Sequence, residues 1–292
     1  MNIALTGSSG LIGSKLLKYL RDLNHEVLCI SSSHSSHKDN IFLYEELQSK
    51  DMSFNADFMI HLASINSNLE ESEIPLEIEL FNKAIDCMEN LNCKNVIFFS
   101  TIKVYGENSF NSNLIDVDEN FPKTPECSYG QAKELCEQEL IRLSHEKNFN
   151  YLIFRLPPVL INHPKSNVGK LFHLVERGIP IPSFRIGDFN QRSFLNFELL
   201  AHVVREVINE GIISSSKILN IADSDAISTN DLLRRFGKSI NKKPRIIYLP
   251  NILFKVMIRI NRLQLILSKL YGNFYLSNAK LKKKFNIPEQ FL

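Results

Sequence analysis

Tyr129 and Lys133 lie four residues apart in the helix-favouring stretch 128–145, which puts both side chains on one helix face, a turn apart. A phenol, with a reference pKa of about 10, is a poor base at neutral pH. A neighbouring ammonium favours the phenolate, and proton exchange with an alcohol then becomes feasible. Such a pair occurs in many helices, so its meaning depends on its company. Ser100 and Thr101 close the apolar run 95–99, which has the pattern of a buried parallel strand. Ligands bind at the C-terminal edge of such strands. A hydroxyl there could bond an oxygen that becomes a carbonyl and aim its proton at Tyr129. An ordinary polar strand end is the plainer alternative.

A third group of residues lies at the start of the chain. Thr6-Gly7-Ser8-Ser9-Gly10-Leu11-Ile12-Gly13 follows the apolar run 2–5 and opens a helical stretch, 14–22. This strand, turn and helix is the context that a dinucleotide pyrophosphate requires. Gly7 can make the tight turn, Gly10 lets backbone approach phosphate without a Cβ in the way, and Gly13 lets helix and strand pack closely. The free N–H groups of the first helical turn would face the anion.

The elements that must carry these residues follow from the apolar pattern. Strands are expected at 2–5, 26–30, 40–43, 57–63, 95–99 and 151–155, with helices between several of them, the alternation of a doubly wound parallel sheet. Pro157-Pro158 end the last of these runs. The expected organisation is a Rossmann-type α/β domain over residues 1–160 and a small C-terminal substrate-binding lobe over most of 161–292, with segments returning to the sheet. The chain has 292 residues, 44% hydrophobic and 23% charged, with a formal charge of +2. That composition allows a sizeable core and speaks against nucleic acid as a partner. Met1 leads straight into the first strand, and no long apolar run escapes charge, so a cytoplasmic enzyme is expected. Cys29, Cys87, Cys93, Cys127 and Cys136 have no metal-binding spacing and are expected as free thiols; no metal site is expected.

Together these segments resemble the extended short-chain dehydrogenase/reductase family, in its branch of NAD(P)-dependent nucleotide-sugar epimerases, reductases and dehydratases. The resemblance rests on residues 6–13, on His61-Leu62-Ala63, on Ser100-Thr101 before Val104-Tyr105-Gly106, and on residues 129–133, all in the family's order. It implies Thr101 as the catalytic hydroxyl, with Ser100 as a second contact. Tyr129 becomes the acid/base, and Lys133 the residue that holds the nicotinamide ribose and lowers the Tyr pKa. It implies cofactor contacts at Gly7, Ser9, Gly10, Leu11, Ile12, Gly13, Ser31, Ser32, Leu62 and Ala63, beside Tyr129 and Lys133. For the substrate it implies Thr101, Asn167 at the diphosphate and Arg192 at a phosphate oxygen, with a structural ion pair as the alternative for Arg192. A homodimer is expected from the resemblance alone.

Three departures from the family pattern bear on the activity. Ser31-Ser32-Ser33-His34 replace the acidic residue that holds both ribose hydroxyls of NAD. Hydroxyls, His34 and Lys38 could surround a 2′-phosphate, so the cofactor is NAD or NADP with NADPH ahead; a serine loop that touches nothing is an equal alternative. Ile102-Lys103 occupy the place of the dehydratases' Asp-Glu pair, which argues against dehydration. Pro157, in the place of an Asn that contacts the substrate diphosphate in many UDP-galactose-type epimerases, and the lack of a clear Asn at the helical cofactor position near Glu79 lower the odds of simple UDP-glucose 4-epimerase activity.

The leading expectation is therefore a reductase of an NDP-4-keto-6-deoxyhexose, in bacterial surface-polysaccharide synthesis. The alternatives are a nucleotide-sugar 4-epimerase and, in another class, an inactive nucleotide-binding sensor or scaffold. Residues 251–288 contain no Asp or Glu but carry Lys255, Arg259, Arg262, Lys269, Lys280, Lys282, Lys283 and Lys284. A basic amphipathic helix there could rest on an anionic membrane surface. A core-facing helix with a solvated basic side is the preferred expectation.

Overall fold

The computed structural model describes residues 1–32, 41–49, 53–66, 68–106, 116–223, 225–285 and 287. In chain order the elements are β1 (Asn2–Thr6), α1 (Leu11–Asp22), β2 (Glu26–Ser31), β3 (Ile41–Leu43), α2 (Tyr44–Ser49), β4 (Phe58–His61), α3 (Ile74–Asn90), β5 (Asn95–Thr101), β6 (Asp116–Val117) and α4 (Ser128–Lys147). Then come β7 (Asn150–Leu156), β8 (Val159–Leu160), α5 (Asn167–Glu176), β9 (Ile181–Ser183), β10 (Leu195–Asn196), α6 (Phe197–Asn209), β11 (Lys217–Asn220) and α7 (Thr229–Ser239). The C-terminal part holds β12 (Ile246–Tyr248), α8 (Asn251–Met257), α9 (Asn261–Tyr271), β13 (Tyr275–Leu276) and α10 (Ala279–Lys284).

Contacts divide the chain into two units. The first comprises Met1–Gly106, Pro122–Leu156 and Leu200–Leu219. Its seven-stranded sheet has the order β11-β7-β5-β4-β1-β2-β3. β1 runs parallel to β2 and β4, β2 to β3, β4 to β5, and β5 to β7. The chain winds from β1 out to β3, then resumes on the other side of β1 at β4. The topological switch point therefore lies between β1 and β4, where such sheets bind ligands beyond the strand C-termini. Ile3, Ala4, Leu5, Phe58, Met59, Ile60, Val96, Ile97 and Phe98 are wholly buried, as expected of strands covered on both faces. Each large member contributes about 1.5–3 kcal/mol. Ala4, Met59, Val96 and Phe98 share one core cluster with Phe81, Ala84, Ile85 and Met88 of α3 and with Cys136, Leu140 and Leu143 of α4.

The second unit comprises Glu107–Phe121, Pro157–Leu199 and Asn220–Leu292. It holds three short parallel pairs, β6 with β13, β8 with β10 and β9 with β12. Ser166 caps α5 by accepting from the Gly169 N–H, and Ser228 caps α7 by accepting from the Asp231 N–H. Phe172 on α5 stacks on Phe236 on α7, with ring centroids 3.9 Å apart. The single amphipathic helix expected over the basic C-terminal stretch is two helices, because Ile260 between α8 and α9 is extended at φ −100° and ψ 111°.

The ends of β1 and β4 are joined by a buried polar contact. Thr6 Oγ1 lies 2.8 Å from His61 Nδ1 and accepts the N–H groups of Leu62 and Ala63, each at 3.2 Å. With both acceptor sites in use, the hydroxyl proton goes to Nδ1, which fixes His61 as the neutral Nε2–H tautomer. The ring is fully enclosed, stacked on Phe98 and edge-on to Phe81. Burial, aided by the nearby Lys133 charge, drives its pKa down from 6.5 to about 3. Between those values the unfolded chain takes up a proton that the folded chain refuses, so stability falls as pH drops through the window. Urea unfolding at pH 7 and pH 5 should show His61 costing about 2 kcal/mol at the lower pH, a loss that His61→Asn abolishes.

Candidate active site

The glycine loop is built from the turn after β1. Gly7 has φ +71°, and a Cβ there would sit 2.6 Å from the Ala63 nitrogen, so the loop and the 61–63 segment can meet only without a side chain. Gly10 is the N-cap of α1, no side chain caps that terminus, and the N–H groups that follow remain donors for an anion. Gly13 is buried in the first turn, while Ser9 and Gly10 are exposed and Leu11 and Ile12 half-buried. Leu62 and Ala63 are held by Thr6 as described.

Ser31 ends β2, and Ser32 follows it at the rim of a cavity of about 410 Å³ lined also by Ser64, Ile65, Leu76, Glu79, Leu80 and Lys83. Ser64 Oγ is buried and has no hydrogen-bond partner among the described residues. An orphaned hydroxyl beside apolar walls suits the adenosine half of a dinucleotide, and the Gly7 turn suits its diphosphate. Glu79 lines this cavity and pairs with Lys83 at 2.8 Å. Ser33, His34 and Lys38 lie outside the described residues.

The proton-transfer candidates sit where β5, the 3-10 turn Ile102–Tyr105 and α4 meet. Tyr129 is half-buried and Lys133, one turn on, is 2% exposed. The Lys133 ammonium lies 5.9 Å from the Tyr129 ring centroid and 5.1 Å from that of Phe98. Lys103 also approaches this ring, 5.5 Å from the Tyr129 centroid. Thr101 Oγ1 accepts the Lys103 N–H at 3.3 Å, and its own O–H meets no acceptor among the described residues. Ser100 is engaged elsewhere. Its hydroxyl donates to Glu137 Oε1 at 2.6 Å, and that carboxylate is gripped by Arg155, whose Nη1 reaches the Tyr105 hydroxyl at 2.8 Å. This buried network takes Ser100 away from the role of second contact and leaves Thr101 as the available hydroxyl.

Glu77 carries a role that the sequence did not reveal. Its side chain is 2% exposed, Oε1 is 3.1 Å from Lys133 Nζ, and Oε2 accepts the Ile65 N–H at 2.8 Å. One carboxylate thus ties the candidate lysine to the loop after β4. A lone Glu in a helix ordinarily has a solvated side chain, and only its position opposite Lys133 could have marked it. Burial raises the Tyr129 pKa above its ordinary value; Lys133 opposes this, while Glu77 adds to it. Lys133 itself is raised, since Tyr129 and Glu77 outweigh the effect of burial.

The remaining substrate candidates belong to the second unit. Asn167 is the exposed first residue of α5. Arg192 is buried, and its Nη1 donates to the carbonyls of Ser268 at 3.1 Å and Gly272 at 3.2 Å. Those contacts are a structural use of the guanidinium, tying it to the end of α9.

Residues 3–221 match the model of the NAD dependent epimerase/dehydratase family, across the glycine loop, Thr101, Tyr129 and Lys133. The chain belongs to this family. It is 26% identical over 263 residues to a UDP-glucose 4-epimerase of Vibrio cholerae, covering 82% of this chain and 76% of that protein. It is 24% identical over 301 residues to the N-acetyl-alpha-D-glucosaminyl-diphospho-ditrans,octacis-undecaprenol 4-epimerase of Escherichia coli O157:H7, covering 99% of this chain and 87% of that protein. Among solved structures, the Thermus thermophilus UDP-glucose 4-epimerase in complex with NAD superposes with a TM-score of 0.74 at 17% identity, over 99% of this chain and 94% of that one.

The geometry around Glu77 generates a test. Glu77→Gln leaves the buried Lys133 ammonium without its counter-charge, so urea unfolding should show a loss of about 3–5 kcal/mol. Glu77→Asp, which keeps the charge, should lose less.

Proposed function

We propose that the protein is an NAD(P)-dependent 4-epimerase of a hexose or N-acetylhexosamine carried on a diphosphate. The observation that carries this reading is the Lys133 ammonium held inside the fold against Tyr129, next to the turn that Thr101 opens. Membership of the family and the two relatives, both named as 4-epimerases, support it. Those relatives differ in the carrier, a nucleotide in one and undecaprenol in the other, and share a sugar attached through diphosphate. Asn167, exposed at the start of α5, is the candidate for that diphosphate.

When bound, the nicotinamide supplies hydride acceptance and return at C4. In the oxidising direction Tyr129 takes the C4 hydroxyl proton while Thr101 donates to the same oxygen and orients it. Lys133 spends one N–H on Glu77 and has two for the ribose hydroxyls. After the 4-keto sugar turns its other face, the same groups return the proton, so nothing is consumed. The Gly7 turn, the uncapped α1 terminus and the Ser32–Ser64 cavity would hold the dinucleotide.

A second reading, reduction of an NDP-4-keto-6-deoxyhexose with NADPH, draws on Ser31 and Ser32 at the end of β2, where hydroxyls replace the acidic residue of the family pattern. One assay separates the two. An epimerase interconverts UDP-glucose with UDP-galactose, or their N-acetyl forms, without net change at the reduced-nicotinamide band. Steady loss of NADPH absorbance with a 4-keto sugar would establish the reductase instead, and cofactor binding without either reaction, on UDP-linked and undecaprenyl-diphosphate-linked sugars alike, would mark a scaffold. Tyr129→Phe should lower turnover by about 10²–10⁴-fold with cofactor binding retained; full activity in that variant would remove Tyr129 from the chemistry.

A further inference from the structure

The two sides of α8 meet different surroundings. Phe254, Met257 and Ile258 turn inward and pack with Leu249 and Leu270 around Phe184, Leu267 and Tyr271. On the outward side of α8 Ile252 and Val256 are 68% and 52% exposed, and Ile260, in the extended break that follows, is 50% exposed. Leu253, and Ile266 on α9, are exposed as well. An apolar stripe of this kind on a surface marks a contact with something else.

Charge identifies the occupant. Lys255, Arg259 and Lys269 are exposed along the same stretch, and none forms an ion pair with another described residue. No Asp or Glu occurs between residues 251 and 288 to answer them. A second copy meeting this face about a two-fold axis would set the same cations against each other. An anionic bilayer offers apolar depth and the counter-charge together.

We propose that α8 and the start of α9 form a docking face for an anionic membrane surface, with Ile252, Val256 and Ile260 entering the headgroup boundary and Lys255, Arg259 and Lys269 meeting lipid phosphates. The inference does not depend on the epimerase reading or on which carrier holds the sugar. The short helices cannot cross the bilayer: no helix among the described residues is long and apolar enough to do so. The contact is peripheral and salt-sensitive.

Co-sedimentation of the full chain with phosphatidylglycerol-containing vesicles tests it, against phosphatidylcholine vesicles alone. The protein should pellet only with the anionic vesicles, and release should follow as salt rises from about 0.1 M, where the Debye length is about 10 Å. Replacing Lys255, Arg259 and Lys269 by Glu should weaken binding well beyond tenfold, since each cation is worth roughly fivefold near such a surface. Ile252→Ser with Val256→Ser and Ile260→Ser should weaken it too, with an unchanged circular dichroism spectrum. Wild-type protein that stays in the supernatant, pellets equally with neutral vesicles, or binds as well in both variants would overturn the proposal. So would a dimer, measured by light scattering, that the serine variant converts to a monomer, since the face would then belong to a second copy.

Discussion

A lysine cannot keep its charge in an apolar interior without a counter-charge, and Lys133, enclosed between Phe98 and Tyr129, has Glu77 at 3.1 Å. Removing either partner would strand the other, a penalty of about 3–5 kcal/mol. The pair therefore fixes the position of α3 against α4 at the level where the chemistry is expected. Because the second carboxylate oxygen holds the Ile65 N–H, the loop after β4 is fixed by the same group. The glycine turn, in contact with that loop through Gly7, inherits its position in turn.

Seen along α4, the site is spaced by the helix itself. Residues 129, 133 and 137 recur at four-residue steps on neighbouring turns. Tyr129 is the candidate proton carrier, Lys133 bolts the helix to α3, and Glu137 bolts it to β7 through Arg155 and to β5 through Ser100. Two buried ion pairs on one helix give little net stability over an apolar core, yet each admits only one register. A catalytic side chain one turn away is then held to that register too.

Six strands of the sheet were legible because they are largely apolar runs and the first turn has glycines where backbone must meet backbone; β11, with only Ile218 and Leu219 apolar, was not. Tyr129, Lys133 and Thr101 could be chosen because each has a chemical reason to stand at a strand end or on a helix face. Glu77 and Arg155 could not, since their meaning lies in partners about 56 and 18 residues away, and a charged residue in isolation looks solvated. For the same reason Ser100 and Thr101 looked interchangeable until Glu137 claimed one of them. In the basic C-terminal stretch, the apolar spacing fitted one continuous helix. The break at Ile260, and the outward turn of half its apolar residues, depend on where Phe184 and Tyr271 leave room.

The parallel strand pairs of the second unit set an order of events for the growing chain. Asp116 finds its partner Tyr275, and Ile181 finds Ile246, only after the intervening segments exist. Closing such long loops costs entropy before any contact repays it, which slows folding. On the ribosome, β1 to β5 and β7 can pair as they emerge, while β6 must wait for β13, the last of the described strands, to be made. The second unit is thus completed late, and a chain shortened before β13 loses the partner that anchors β6.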